Sequence, residues 1–242
     1  MYVATGDRFL NECRKSASSV RKNMPDCPIV LCTNRPDFSA VELFDQVIPI
    51  EDADFSFLDK VKYIPRSPFD RTLYLDTDTI LVEPVWELAE MLDRFQLAYA
   101  HAPHRVYDYD AEPCPEAFCE PNTGVILYQQ CAEVKRCFEQ WARLYPKYVA
   151  DGASTDQQSF RAAVYECDVD ICILPPEYNL RTPFPWFAGG GMKVKILHGR
   201  EPSLSKVAAA ANKKLGPRIG YYNPAPWSVR VYYKIKDMLG VG

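Results

Sequence analysis

The sequence predicts an α/β protein built on a layered sheet. Three observations predict it: short apolar runs of strand length recur along the chain, segments with helical spacing alternate with them, and the opening reads β-α-β. Met1–Thr5, "MYVAT", reads as a strand. Next, "GDRFLNECRKSASSVRKN" sets Phe9, Cys13, Ala17 and Val20 at helical spacing, and "PIVLCT" (Pro28–Thr33) and "QVIPI" (Gln46–Ile50) read as strands. The stretch "RTLYLDTDTILVEP", Arg71 to Pro84, reads as a strand buried on both faces, with Asp76 and Asp78 inside it. A helix within Val85 to Phe95 and strands over Leu97 to Ala102 and Thr123 to Gln129 continue the alternation. Helices follow over Cys131 to Tyr145 and Thr155 to Tyr165, the second with Ser154 or Thr155 as its N-cap. Strands over Ile171 to Pro175 and Lys193 to Gly199 come last, separated by a loop that Pro183, Pro185 and Gly189 to Gly191 mark.

With 242 residues the chain can bury a full core, and one domain is expected. Its 48% hydrophobic and 25% charged residues are those of a soluble globular protein, and a net charge of -4 gives nucleic acid no reason to bind. Any anionic ligand must be met by local groups. The nine cysteines include no Cys-x-x-Cys pair, which argues against a zinc site or disulfide framework and for a reducing compartment. No run reaches the roughly 20 apolar residues of a membrane span, and the chain opens without a leader pattern. The expected location is cytoplasmic.

Four Asp-x-Asp pairs occur: Asp52/Asp54, Asp76/Asp78, Asp108/Asp110 and Asp168/Asp170. Open α/β sheets bind ligands beyond the carboxyl ends of their strands. Asp168 and Asp170 precede an apolar run and so lie at the wrong edge, while Asp52/Asp54 and Asp108/Asp110 lie in loop-like surroundings. Asp76 and Asp78 directly follow the apolar half of a strand, and a period of two puts both carboxylates on one face. Together they can hold a cation, and oxygen donors suit Mg2+ or Mn2+. The same edge rule selects His198, whose imidazole tilts the choice toward Mn2+. Taken singly, His198 also reads as a strand-end surface histidine, and the acidic pair as a turn.

"LYLDTDT", "PNTGVILYQ", "STDQQSF" and "ILHG", in this order, resemble the nucleotide-sugar-dependent glycosyltransferases of GT-A fold, in particular family 8, which includes bacterial galactosyltransferases and glycogenin. The resemblance spans Met1 to about Gly199. It implies a GT-A catalytic domain over residues 1–202 and a C-terminal helical tail, 203–242, packed on it or facing a membrane. It further implies that Asp76, Asp78 and His198 hold Mn2+ (or Mg2+) against the diphosphate of a UDP-sugar donor. "VATGD" matches the family's first strand and turn, which makes Thr5 and Asp7 candidates for the uracil or ribose; a plain Gly-Asp turn opening a helix explains them equally. Lys60 or Lys62 stands where the family carries a basic residue near the donor, though either also reads as a solvated helix lysine.

Asn122 and Gly124 match an Asn-x-Gly segment that lines the donor sugar, with a β-bulge as the alternative for the glycine. Asp156 and Gln157 match the family's Asp-Gln pair, which implies transfer with retention of anomeric configuration. Gln157 is too weak a nucleophile for a double displacement, so a same-face, ion-pair-like substitution is the economical route, with Asp156 binding sugar hydroxyls or facing the anomeric carbon. Asp156 also reads as a helix cap. The chain departs from the family in one place: "ILHGREPSLSKV" supplies His198, Gly199 and Arg200 but no Lys-Pro-Trp, so Arg200 is the candidate for the missing phosphate-gripping lysine.

"YLDTDTILVEP" also resembles the first motif of haloacid-dehalogenase-type phosphatases, in which the acidic pair supplies nucleophile and general acid/base. Such enzymes open on that strand, whereas here a β-α-β unit precedes it. A sugar-nucleotide-binding protein without turnover is a third reading. Loops Pro103 to Pro121 and Pro175 to Gly191 carry aromatics, Tyr107, Tyr109, Tyr178, Phe184, Trp186 and Phe187, that suit a carbohydrate or glycolipid acceptor or local packing. In the tail, Trp227, Val231, Ile235, Met238 and Leu239 recur near helical spacing beside Arg230, Lys234 and Lys236. That pattern suits either a helix docked on the core or a peripheral membrane contact.

Overall fold

The structure, a computed structural model, describes residues 1–103, 114–182, 185–188, 192–200, 204–213 and 218–221. The β-α-β opening is present. β1 (Tyr2–Ala4), α1 (Asp7–Asn23) and β2 (Val30–Thr33) lead to β3 (Gln46–Pro49), and the three strands pair in parallel in the order β1-β2-β3. α1 buries Leu10, Cys13, Ser16, Ala17 and Val20, a stripe three and four residues apart, while Phe9 turns half-exposed toward a cleft. β3 is not a core strand, since none of its four residues is buried.

After α2 (Phe57–Tyr63) come β4 (Arg71–Leu75) and β5 (Thr79–Leu81), which belong to different sheets. This corrects the expectation of a single strand through Asp76 and Asp78. The chain turns there instead: the Thr79 backbone N–H and hydroxyl both bond the Asp76 carbonyl, at 3.2 and 2.8 Å. A turn rather than strand alternation therefore brings the two carboxylates together.

The helix expected within Val85 to Phe95 is one turn, α3 (Leu88–Met91). β6 (Leu97–His101), β7 (Pro121–Gln129) and, later, β8 (Ile171–Leu174) join β4 in the order β4-β7-β6-β8. This four-stranded sheet continues the first, because Met1 donates to the Leu73 carbonyl (2.8 Å) and accepts from the Leu75 N–H (3.1 Å). α4 (Ala132–Ala150) and α5 (Gln157–Glu166) pack together on it. α4 runs past Tyr145 and carries Pro146 inside, where the sequence suggests a stop. Val134, Cys137, Phe138, Trp141 and Tyr145 form its buried stripe, which outweighs the one backbone bond that the proline forfeits.

A smaller sheet, β5-β11-β9, is built from β5, β9 (Leu180–Arg181) and β11 (Ile196–His198). β10 (Pro185–Ala188) pairs with β12 (Arg218–Tyr221), and α6 (Leu204–Ala211) packs through Leu204, Val207 and Ala211 on Leu180, Val194 and Leu197. β10 falls within the loop expected between the last two strands. Asp108/Asp110, Tyr107, Tyr109, Phe184 and residues 222–242, with the expected amphipathic helix, lie outside the described residues, as do the side chains of Trp186 and Phe187. None of the nine cysteines is in a disulfide. Among the described residues no helix is long and apolar enough to cross a membrane.

Candidate active site

The turn between β4 and β5 delivers Asp76 and Asp78 to the carboxyl edge of the main sheet. β11 then pairs antiparallel with β5 in a register that sets His198 opposite Thr79, so the imidazole is carried back over the turn. His198 Nε2 lies 3.3 Å from Asp78 Oδ1 and 3.6 Å from Asp76 Oδ2. His198 is buried, 3% exposed, which removes the surface-histidine reading. Gly199 follows, pressed so tightly on Thr182 that a Cβ there would come within 2.5 Å of the Thr182 hydroxyl oxygen.

The protonation of His198 can be worked out from one backbone group. The Gly124 N–H donates to Asn122 Oδ1 (3.1 Å), which fixes that oxygen as an acceptor. Asn179 must then offer it an N–H, through Nδ2 at 2.8 Å, and so turns its own Oδ1 to His198 Nδ1, also at 2.8 Å. Nδ1 therefore carries a proton, and Nε2 faces the two carboxylates. In the other direction, Asn122 Nδ2 donates to Gln157 Oε1 at 2.9 Å. A single hydrogen-bonded line thus joins Gln157 to His198.

Two carboxylates and an imidazole nitrogen converging on one point need a positive charge between them. Asp78 Oδ1 is buried and has no aligned hydrogen-bond donor among the described residues. Burial works against its ionisation, but His198, Arg200 and Arg181 outweigh that and hold the Asp78 carboxyl well below the usual carboxylate range. One donor atom from each of the three residues falls within 4.8 Å of the others. Spacings of 3.3 and 3.6 Å are somewhat wider than the roughly 3.0 Å between adjacent ligands of an ion with bonds of about 2.1 Å, so the three groups leave room for a cation between them. The residues fit a divalent cation.

A second charged cluster adjoins the first. Lys60, on α2, has its Nζ 3.1 Å from Asp76 Oδ1, 3.1 Å from Asp156 Oδ2 and 3.0 Å from the Thr123 hydroxyl, and its side chain is 7% exposed. Burial would discharge this ammonium, yet Asp156 and Asp76 together raise its pKa. For Asp156 the balance falls the other way: burial raises the carboxyl against the pull of Lys60. Asp156 occupies the N-cap position of α5 but its side chain makes no capping bond, so the helix-cap reading does not hold. Its backbone carbonyl instead accepts from the buried Trp141 indole N–H at 3.2 Å, which ties the residue to the core. Tyr74 donates to Asp76 Oδ1 at 2.7 Å.

Thr5, Lys60, Asp76 and Arg200 line a cleft of about 200 Å3 together with Phe9, Phe55, Phe57 and Asp59. Arg200 is held between Glu12 (3.2 Å) and Asp78 (3.7 Å), and Glu12 also accepts from Thr77. The Thr5 hydroxyl donates to Asp59 Oδ2 at 2.9 Å. Two expected residues stay outside the cluster: Asp7 is exposed in the first turn of α1 and pairs with Arg35, and Lys62 faces solvent. A larger cavity, about 260 Å3, is walled by Val20, Met24, Ile29, Leu73 and Trp86, and it lacks the convergent polar groups of a reaction site.

Sequence reasoning missed Tyr74, Thr123, Asn179, Asp59 and Glu12. Tyr74 could have been found, since it stands two residues before Asp76 on the same strand face. Asn179 lies in a loop, and nothing local marks it.

No protein-family model matches the sequence, and no curated protein matches it. Solved structures do. The galactosyltransferase LgtC in complex with donor and acceptor sugar analogs is 13% identical, covering 95% of this chain and 98% of that one, with a TM-score of 0.54. Mouse xyloside xylosyltransferase 1, in its apo form, is 16% identical over 82% of this chain and 96% of that one, with a TM-score of 0.56. The glycosyltransferase GlyE of Streptococcus pneumoniae TIGR4 is 15% identical, with a TM-score of 0.59, and this chain covers 64% of its length. The chain has the GT-A fold that these glycosyltransferases share.

Proposed function

We propose that the chain is a glycosyltransferase that moves a sugar, with retention, from a nucleotide-diphosphate donor of the UDP-sugar type to a glycan or lipid-linked acceptor. One observation carries this reading: Asp76, Asp78 and His198 converge, in a GT-A fold, beside a cleft that also presents Lys60 and Arg200. Asp76, Asp78 and His198 would hold a divalent cation, Mn2+ in preference to Mg2+. When bound, it supplies positive charge against the diphosphate as that group leaves, a task that otherwise falls to an acid catalyst.

The chain's own residues account for the rest. Arg200, steadied by Glu12, offers a second cation to the diphosphate, in the place of the family's lysine. Asn122, Gly124 and Gly199 wall the sugar position, and Thr5, steadied by Asp59, meets the nucleoside. Asp156 faces the anomeric carbon as a fixed negative group whose charge Lys60 already balances, so it can stabilise developing positive charge without attacking. Gln157 is held by Asn122 and presents an amide to the sugar face. The bond from the anomeric carbon to the diphosphate oxygen breaks, the acceptor oxygen bonds from the same face, and its proton passes to the departing phosphate oxygen. The LgtC structure holds donor and acceptor sugar analogs, which supports the same two classes of partner here.

Incubation of the purified protein with a panel of UDP-sugars and MnCl2 tests this. Slow release of UDP from one donor, abolished by EDTA and restored by Mn2+, is expected. Release of phosphate from monoesters with no UDP-sugar turnover would assign the site to a phosphatase, and binding without turnover to a carrier. If the acceptor is lipid-linked, the basic tail beyond residue 221 gives a peripheral membrane contact, and salt-sensitive cosedimentation with anionic liposomes that is lost on truncation at Pro224 is the expected result.

A further inference from the structure

Phe55 is the only non-glycine among the described residues with a left-handed backbone, φ 55°. A bulky side chain adopts that conformation only when its surroundings force it. Here the force is visible. The buried Asp59 carboxylate accepts the N–H of Asp54 at 2.8 Å and that of Phe55 at 2.9 Å, and takes the Thr5 hydroxyl as well. Packing does not repay the strain, because Phe55 remains 62% exposed. The ring instead overhangs Gly6, where an added Cβ would touch Phe55 Cδ1 at 3.8 Å.

The cleft has an aromatic portion, Phe9, Phe55 and Phe57, joined to a charged portion that includes Lys60, Asp76 and Arg200. Arg8 and Arg200 already lie over the Phe9 ring, at 5.6 and 5.5 Å, and Lys60 over that of Phe57 at 5.9 Å. Of the three rings, Phe55 is the one with no cation over it among the described residues. A ligand that suits this cleft has a flat π-face at one end and a polyanion at the other, which is the chemistry of a nucleoside diphosphate.

We propose that Phe55 is a specificity-determining residue, the stacking face for the donor's nucleobase, held in place by Asp59 at the expense of backbone strain. This rests on the nucleotide-sugar reading of the cleft. Calorimetric titration of UDP and of inorganic pyrophosphate, both with MnCl2, separates the two ideas. In Phe55→Ala, UDP should bind about tenfold more weakly, within the roughly five- to hundredfold range of base–aromatic stacking, while pyrophosphate is unaffected. Phe55→Gly should lose as much UDP affinity and yet raise Tm, since glycine removes the strain; a merely structural role predicts no such split.

Equal UDP binding by wild type and Phe55→Ala overturns the proposal, and so does a parallel loss of UDP and pyrophosphate. Wild-type protein that binds pyrophosphate as tightly as UDP also overturns it, but leaves the metal–diphosphate reading standing. Binding of neither ligand removes both.

Discussion

Gly124 and His198 pack so closely that no side chain fits between them: a Cβ on Gly124 would lie 2.5 Å from His198 Nδ1 and 2.8 Å from Nε2. The glycine of the Asn-x-Gly segment thus makes room for the imidazole, and it also lies in the irregular stretch of β7, since Tyr99 pairs with Ile126 but Ala100 with Asn122. Gly124→Ala should drive His198 out of line with Asp76 and Asp78. The chain should stay folded and lose Mn2+ affinity by tenfold or more, measured by metal titration with circular dichroism as the control. Unchanged Mn2+ binding would detach His198 from the metal.

Asp76→Asn and Asp78→Asn should each lower sugar transfer by orders of magnitude, because a neutral amide is a poor ligand for a hard dication. Their structural consequences should differ. Asp78 Oδ1 has no aligned donor to lose, whereas Asp76 answers both Tyr74 and Lys60. Thermal melts of the two variants without metal should therefore show Asp76→Asn as the less stable. The reverse order would mean that the charges of His198, Arg200 and Arg181 around Asp78 outweigh the Tyr74 and Lys60 contacts of Asp76.

Asn179 acts on the metal through His198. Asn179→Ala removes the acceptor for Nδ1–H and frees the ring to rotate or change tautomer, which costs metal sites about 10- to 100-fold in affinity or activity when such partners are lost. Added Mn2+ should recover much of the activity of this variant, and none of that of a variant whose chemistry itself is broken. Failure of excess Mn2+ to restore it would show that Asn179 does more than orient the imidazole.

The sequence makes most strands of the main sheet, the two long helices and the candidate metal triad legible, because each rests on a local signal: apolar runs, helical spacing, and polar residues directly after a strand. It misleads at Arg71 to Pro84, where period two and a turn both set Asp76 and Asp78 side by side. Only the change of sheet between β4 and β5 separates the two cases. Lys60 and Lys62 are equivalent by local pattern, and the half-buried Asp76 and the buried Asp156, brought to one lysine by different elements, choose between them. The line from Gln157 through Asn122 and Asn179 to His198 spans β7, α5, β11 and a loop, so no spacing along the chain announces it.

Lys60 and Asp156 should behave as a unit. Lys60→Met leaves the Asp156 carboxylate, 2% exposed, in the interior with no cation, a loss worth roughly 3–5 kcal/mol and on the order of 10 °C in Tm for a chain of this size. Asp156→Asn added to Lys60→Met should restore most of that stability and none of the activity. A double-mutant cycle by denaturant titration checks it, and additive losses would show that the two charges are not coupled.

The proposed retention of configuration rests on the same pair. An inverting transferase needs a free carboxylate to take the acceptor proton on the face opposite the leaving diphosphate. Asp156 does not serve in this reading, because Lys60 holds its carboxylate, and the neighbouring Gln157 carries an amide with no basic lone pair to offer. In the retaining reading the departing phosphate oxygen is the base, and it lies on the face from which the sugar leaves, so the acceptor enters from that face. An α-linked donor should therefore give an α-linked product, read from the anomeric proton in the NMR spectrum of the first product formed. A β-linked first product would mean that a base other than these residues reaches the acceptor, and the retaining assignment of Asp156 and Gln157 would have to be withdrawn while the metal site could stand.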